Sequence, residues 1–193
     1  MPLARNATGL LAAALSLAYP VVVYFGLTVV QPRLLGLGLL AVLLLRHGRS
    51  AKGFLMTTDL VERAMISAVL ALSVGIVLAN SEFLLRLYPC VLSLGMFLMF
   101  ARTLIRPPSM IERFARLTEP DLSTAGVHYT RRVTQVWCVF LAGNGLIALA
   151  SAFASRELWV LWNGLLSYLL MGTLFAGEWL VRRRVLGRVV EHA

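Results

Sequence analysis

The sequence predicts an all-α, polytopic membrane helix bundle forming a single integral membrane domain over residues 1–193, and three observations carry that prediction. Hydrophobic residues make up 59% of the chain and its mean hydropathy is +0.81, more apolar surface than a soluble domain of this size buries. The apolar residues gather into six segments, Gly9–Val30, Leu34–Leu45, Ala64–Leu78, Phe83–Ala101, Val133–Phe153 and Leu158–Leu180. The formal net charge of +9 resides mainly between those segments, the pattern of cytoplasmic loops in an inserted chain rather than of a nucleic-acid-binding surface.

The first segment imitates a signal peptide, since Arg5 precedes "LLAAALSLA" and Ser16-Leu17-Ala18 has a small-x-small form. The apolar run continues through Tyr19-Pro20 to Val30, so it is read as an uncleaved first helix. About 20 residues at 1.5 Å each cross a hydrocarbon core of about 30 Å, and the first, fourth, fifth and sixth segments meet that length unaided. Leu34–Leu45 covers only about 18 Å, so it must recruit flanking residues, thin the bilayer or turn back as a re-entrant element. Six full spans and five spans plus a short or re-entrant one both stay open.

Between the fourth and fifth segments lies the longest connection, 102–132. Pro107-Pro108 stops the fourth helix, and Ser109 with Glu112 forms an S-x-x-E capping box that starts a short new one. Met110, Phe114 and Leu117 share one face of it with Arg113 and Arg116 away from that face, as in a helix lying on a membrane surface. "HYTRRVTQVWC" then leads into the fifth segment, bringing Tyr129, Arg131 and Arg132, and the chain closes on a basic tail over 182–193.

Charge asymmetry sets the expected orientation. With both ends cytoplasmic, 15 of the 18 basic residues fall inside, leaving Arg33, Arg86 and Arg156 on the other face. The C-terminus is therefore expected on the cytoplasmic side of a bacterial inner membrane. Tyr-Pro-x-Val recurs at Tyr19 and Tyr88, a faint sign of the inverted repeat found in transporters.

Charged and amide side chains inside apolar segments are costly in lipid and need partners. Glu178 precedes Arg182 by four residues, the order that favours an i,i+4 ion pair near the cytoplasmic interface, and Glu82 with Arg86 repeats the device at the other face. Asn144 and Asn163 each begin an Asn-Gly-Leu triplet. Their simplest role is an amide joining neighbouring helices while glycine allows close approach; the alternative is that Asn144, Asn163 and Glu178 line a polar cavity for a headgroup or substrate. Trp137, Trp159, Trp162 and Trp179 stand toward segment ends, where interfacial anchoring is expected. Cys90 and Cys138 are expected as free thiols, the histidines lack ligand spacing, and neither metal nor cofactor is predicted. No nucleophile elbow, phosphate loop or paired intramembrane carboxylates appear, so an enzyme is not expected.

The stretches "YPCVLSLGMFLMFARTLIRPPSMIERFARLTEP", "YTRRVTQVWCVFLAGNGLIAL" and "LWNGLLSYLLMGTLFAGEWLVRRR" resemble a family of small bacterial inner-membrane proteins encoded beside fatty-acid-synthase-like genes for aryl polyene and xanthomonadin-type pigments. The similarity covers roughly Tyr19 to Arg184. Asn80-Ser81-Glu82-Phe83, the Pro108–Arg113 turn, Trp137 and Asn144 are more distantly similar to landmarks of the intracellular septation protein A family, which implies five full spans plus a shorter N-terminal element. Neither resemblance supplies a catalytic residue.

Three functions remain from sequence. One is an accessory subunit that meets anionic lipids, an acyl carrier protein or other membrane synthesis subunits through Arg113, Arg116, Tyr129, Arg131, Arg132 and Arg182. The others are a carrier or flippase for a lipid-linked substrate and an envelope or septation scaffold. A polar midplane cavity would favour the carrier, and a sealed core either of the other two.

Overall fold

The structure, a computed structural model, describes residues 31–47 and 60–190, with side chains described for 31–41 and 60–181. The expected first helix, Gly9–Val30, lies outside the described residues. Among them the chain is all-helical: α1 Pro32–His47, α2 Leu60–Ala79, α3 Glu82–Arg86, α4 Tyr88–Ile105, α5 Met110–Arg116, α6 Thr124–Ala152, α7 Arg156–Val160, a π-helical stretch Leu161–Leu166 and α8 Ser167–Val190. Four stretches are long and apolar enough to cross a membrane, Leu60–Ala79, Glu82–Ile105, Thr124–Ala152 and Arg156–Val181.

The helix over the short second segment is longer than its apolar run. Pro32 opens α1, where its missing N–H is one that no helical carbonyl would have received, and the helix reaches 16 residues, about 24 Å at the helical rise. Its start is held from a distance. Asn80 ends α2 in the left-handed region at φ 48°, which asparagine tolerates better than most residues, and its amide oxygen accepts from the Arg33 N–H at 3.0 Å. One asparagine thus terminates α2 and caps α1. Arg33 adds a bond from Nε to the Val77 carbonyl at 3.0 Å.

Serine caps mark the later starts. Ser81 accepts from the Leu84 N–H, Ser123 from the Gly126 N–H and Ser155 from the Leu158 N–H, each satisfying a helix-terminal donor. Pro89, in the first turn of α4, lacks a donor, and at that point the Glu82–Ile105 span divides into α3 and α4. At 29 residues, α6 extends about 43 Å, more than a bilayer core requires. Its first two turns are the Tyr129 to Arg132 region expected as loop, and helix also continues from the last span through Arg182–Arg184 to Val190.

Helices α1, α2, α4 and α6 pack side by side in that order, with the most extensive contact between α4 and α6. Glycine makes that contact close: a Cβ on Gly145 of α6 would stand 2.8 Å from Leu94 Cδ2 and 3.4 Å from the Leu94 backbone nitrogen. Phe100, Trp137, Cys138 and Leu141 form the central cluster, joined by Met171 and Leu174 from α8. The Trp137 and Phe175 rings meet at a tilt of 58° with centroids 4.6 Å apart, a further contact between α6 and α8. Three of the four tryptophans depart from the expected anchoring role. Trp137 is buried, Trp159 is buried and donates from Nε1 to the Arg86 carbonyl at 2.9 Å, and the Trp162 Nε1 is enclosed. Trp179 is exposed, as a belt residue would be. Outward surfaces are strongly apolar: Val139 is 75% and Leu146 60% exposed, and at most 33% of any span's apolar window is buried by the protein itself. That inversion of soluble-protein patterning leaves lipid as the natural covering.

Candidate functional site

The alternating helices collect polar groups at two ends and along one seam. At the end formed by α3, α7 and the start of α1, Glu82 is the centre. Its Oε1 accepts from Arg86 at 2.7 and 3.2 Å and from Arg156 Nε at 2.9 Å, while Oε2 accepts from Arg156 Nη2 at 2.5 Å. Arg86 also donates to the Ala154 carbonyl at 3.0 Å. The expected i,i+4 pair is present, but Arg156, 74 residues along the chain from Glu82, turns it into a clamp between α3 and the α6–α7 turn. Phe83 and Phe153 pack edge to face beside it with centroids 5.1 Å apart. These bonds satisfy the charges locally, a structural arrangement.

Along the seam the two asparagines offered for a polar cavity, or else for joining helices, each bond a neighbouring segment. Asn144 is buried and donates from Nδ2 to Ser93 Oγ at 2.9 Å, tying α6 to α4. Asn163 lies in the π-helical stretch and donates to Ser151 Oγ and the Trp159 carbonyl, both at 3.0 Å. Glu178 is 15 residues beyond Asn163, about 22 Å along the helix by its rise, and its backbone carbonyl accepts from the Tyr129 hydroxyl at 3.3 Å. The three residues therefore share no site, because each belongs to a different level of the bundle. The second member of the expected Glu178–Arg182 pair has its side chain outside the described residues. Within the seam, Asn144 Oδ1, Asn163 Oδ1 and Trp162 Nε1 are enclosed without a hydrogen-bond partner.

The end bearing α5 holds most of the described arginines. The hydroxyl of Thr103 in α4 donates to the Phe100 carbonyl at 2.7 Å and accepts from the Met110 N–H at 2.9 Å. Thr134 of α6 donates to the Thr130 carbonyl at 2.8 Å and accepts from the Ile111 N–H at 3.2 Å. Two threonines from two spans thus receive the first two N–H groups of α5. Of the predicted Ser109–Glu112 capping box the glutamate half is bonded, the Ser109 N–H donating to Glu112 Oε2 at 3.3 Å, while the Ser109 hydroxyl is enclosed without a hydrogen-bond partner.

The short helix turns Glu112 and Ala115 into the bundle and leaves Phe114 and Leu117 exposed. The buried carboxylate is matched by Arg116, which donates to Glu112 Oε1 at 2.9 and 3.0 Å and to the Pro120 carbonyl at 2.9 Å. Arg116, expected on a ligand-facing surface, is committed to the fold. Arg113 spends only Nε, on the Pro108 carbonyl at 3.1 Å. Arg131 and Arg132 lie on α6 within one turn of Thr134, and no hydrogen bond or ion pair joins their guanidinium groups to another described side chain.

Between α2, α4 and α5 opens a cleft of about 290 Å³ lined by Val61, Glu62, Met99, Arg102, Thr103, Arg106, Pro107, Met110 and Arg113. Sequence reasoning placed Arg102 and Arg106 in the cytoplasmic count but not in a site. Their spacing was the available signal: two arginines four residues apart at a helix C-terminus, Arg102 in the last turn of α4 and Arg106 its C-cap, set like charges near each other, useful where an anion sits between them.

No family model, curated relative or solved structure matches the chain. Fold and site together define an all-helical protein with four candidate membrane-crossing helices and an arginine-rich end organised around α5.

Proposed function

We propose that this protein is a multi-pass inner-membrane accessory subunit that supports synthesis or export of a membrane-associated acyl or polyene product, using the α5 end as a cytoplasmic docking face and doing no bond chemistry itself. The carrying observation is that α5 is bonded to both α4 and α6 through Thr103 and Thr134, which makes the arginine-bearing end a fixed surface rather than a loose loop. A rigid display of Arg113, Arg131 and Arg132 suits an acidic partner: an anionic leaflet contributes about 1 kcal/mol per basic residue near it, and an acyl carrier protein presents similar charge. The product class comes from the sequence resemblance, and the surface from the geometry.

The test is to reverse charge at Arg131 and Arg132, each to glutamate, in the native host. Envelope product is expected to fall while the level of membrane-inserted protein holds. Normal output from the reversed variant would refute docking through this face.

The carrier reading is supported by a separate observation, the enclosed and unpartnered Asn144 and Asn163 carbonyls beside a π-helical stretch, since π-bulges recur at functional positions. Both amides donate to serines of neighbouring helical segments, however, and helix joining accounts for that half of their chemistry.

A further inference from the structure

We infer that the cleft between α2, α4 and α5 is a binding site for the phosphate of an anionic membrane lipid, an inference that rests on the reading of the α5 end as facing the cytoplasmic leaflet. Arg102 lines the cleft from the last turn of α4, Arg106 from the C-cap that follows it, and Arg113 from α5. Among the described lining residues the carboxylate is Glu62. Arg106 and Arg113 against that carboxylate leave these groups one positive charge in excess, matching the single negative charge of a phosphate diester.

The guanidinium groups are not equally engaged. Arg113 is oriented by its Nε bond to the Pro108 carbonyl at 3.1 Å, which leaves both of its terminal nitrogens for an oxyanion. Arg106 is exposed and makes no side-chain hydrogen bond or ion pair to another described residue. Guanidinium forks donate in pairs to phosphate oxygens, so a ligand at this cleft meets donors from two helices.

The rest of the lining selects a lipid over a free anion. Met99 and Met110 supply flexible apolar wall, and Ile105 beside the cleft is 80% exposed while Phe114 of α5 is 57% exposed. The charged cleft is thus continuous with surface suited to acyl chains, at the end of spans whose length matches a bilayer. A headgroup seated here would place its chains along α4 and α5, and would bridge the two helices through Arg106 and Arg113.

The experiment uses the full chain purified in a neutral detergent. Native mass spectrometry measures retention of phosphatidylglycerol and phosphatidic acid against phosphatidylcholine, and inorganic phosphate is run as a separate competitor. The expected result is selective retention of the anionic lipids, weakened at least about tenfold by Arg106→Gln with Arg113→Gln and unchanged by Arg33→Gln, which removes a like charge at the opposite end. Circular dichroism on each variant checks that the helices persist. Equal retention by the Arg106/Arg113 variant, or equal loss in the Arg33 variant, would overturn the site. Displacement of the lipid by inorganic phosphate at similar concentration would overturn the lipid assignment. Because the docking proposal is tested at Arg131 and Arg132 in the host, either idea can fail without the other.

Discussion

Glu82 is the residue on which the end opposite α5 depends. It accepts from two arginines that approach from different parts of the chain, and Arg86 is held close to it by other bonds, its guanidinium donating to the Ala154 carbonyl and its carbonyl accepting from the Trp159 indole. Replacing it leaves two guanidinium groups facing each other without their anion, and unmatched charges cost more than a lost neutral hydrogen bond. Glu82→Gln keeps the shape and one acceptor. Thermal unfolding of the full chain in detergent should show a loss of about 1–3 kcal/mol, and Glu82→Gln combined with Arg156→Gln should recover part of it. A single variant as stable as the parent would mean that solvent or lipid headgroups already satisfy those arginines. The i,i+4 relation of Glu82 and Arg86 was legible in sequence; the third member was not, since nothing local relates positions 82 and 156.

At the scale of elements, α5 is the informative case. Its seven residues are too few to be stable as an isolated helix in water, so its persistence depends on caps and on docking. The Ser109–Glu112 signature was readable because a capping box is a spacing of three within one turn. Thr103 and Thr134 were not, because each acts on a backbone group of another element. Thr134 is fully buried, and Thr134→Val removes the acceptor for the Ile111 N–H while conserving volume. This substitution should cost about 1–3 kcal/mol and expose the 106–123 segment to limited proteolysis while the spans stay intact. Unchanged cleavage there would show that α5 holds its place without the threonine. The sequence put Met110, Phe114 and Leu117 on a face turned to the membrane surface; Phe114 and Leu117 are exposed, Met110 packs against the core, and the face buried against the bundle is Glu112 and Ala115, since a matched carboxylate and a small side chain admit closer approach of α5 to α6 than aromatic bulk does.

Across the whole molecule, the antiparallel run of spans gathers Arg63, Arg102, Arg106, Arg113, Arg116, Arg131 and Arg132 at one end and leaves Arg33, Arg86 and Arg156 at the other. The bias predicts that the α5 end faces the cytoplasm. Cys90 and Cys138 are buried and free, so reporter cysteines read cleanly. In intact cells with a permeable outer barrier, Glu157→Cys should react with an impermeant thiol reagent and Glu119→Cys should react only after lysis. The opposite pattern would invert the orientation and withdraw the docking and lipid proposals together.

Sequence by itself determined the helical class, the places of the long apolar segments within the described residues, the start of α5 after Ser109 and the Glu82–Arg86 pair. All of these follow from length, composition or contacts within one turn of helix, where backbone geometry fixes which residues meet. Tertiary structure decided the rest: Arg156 on Glu82, Asn80 on the start of α1, Ser93 on Asn144, Thr134 on α5, and the meeting of Arg102, Arg106 and Arg113 around one cleft. In these spans leucine and valine occupy lipid-facing and protein-facing positions alike, so hydropathy carries little information about which side of a helix meets its neighbour. That choice rests on close packing at residues such as Gly145 and on bonds between partners tens of residues apart, and it exists only once the helices are set against one another.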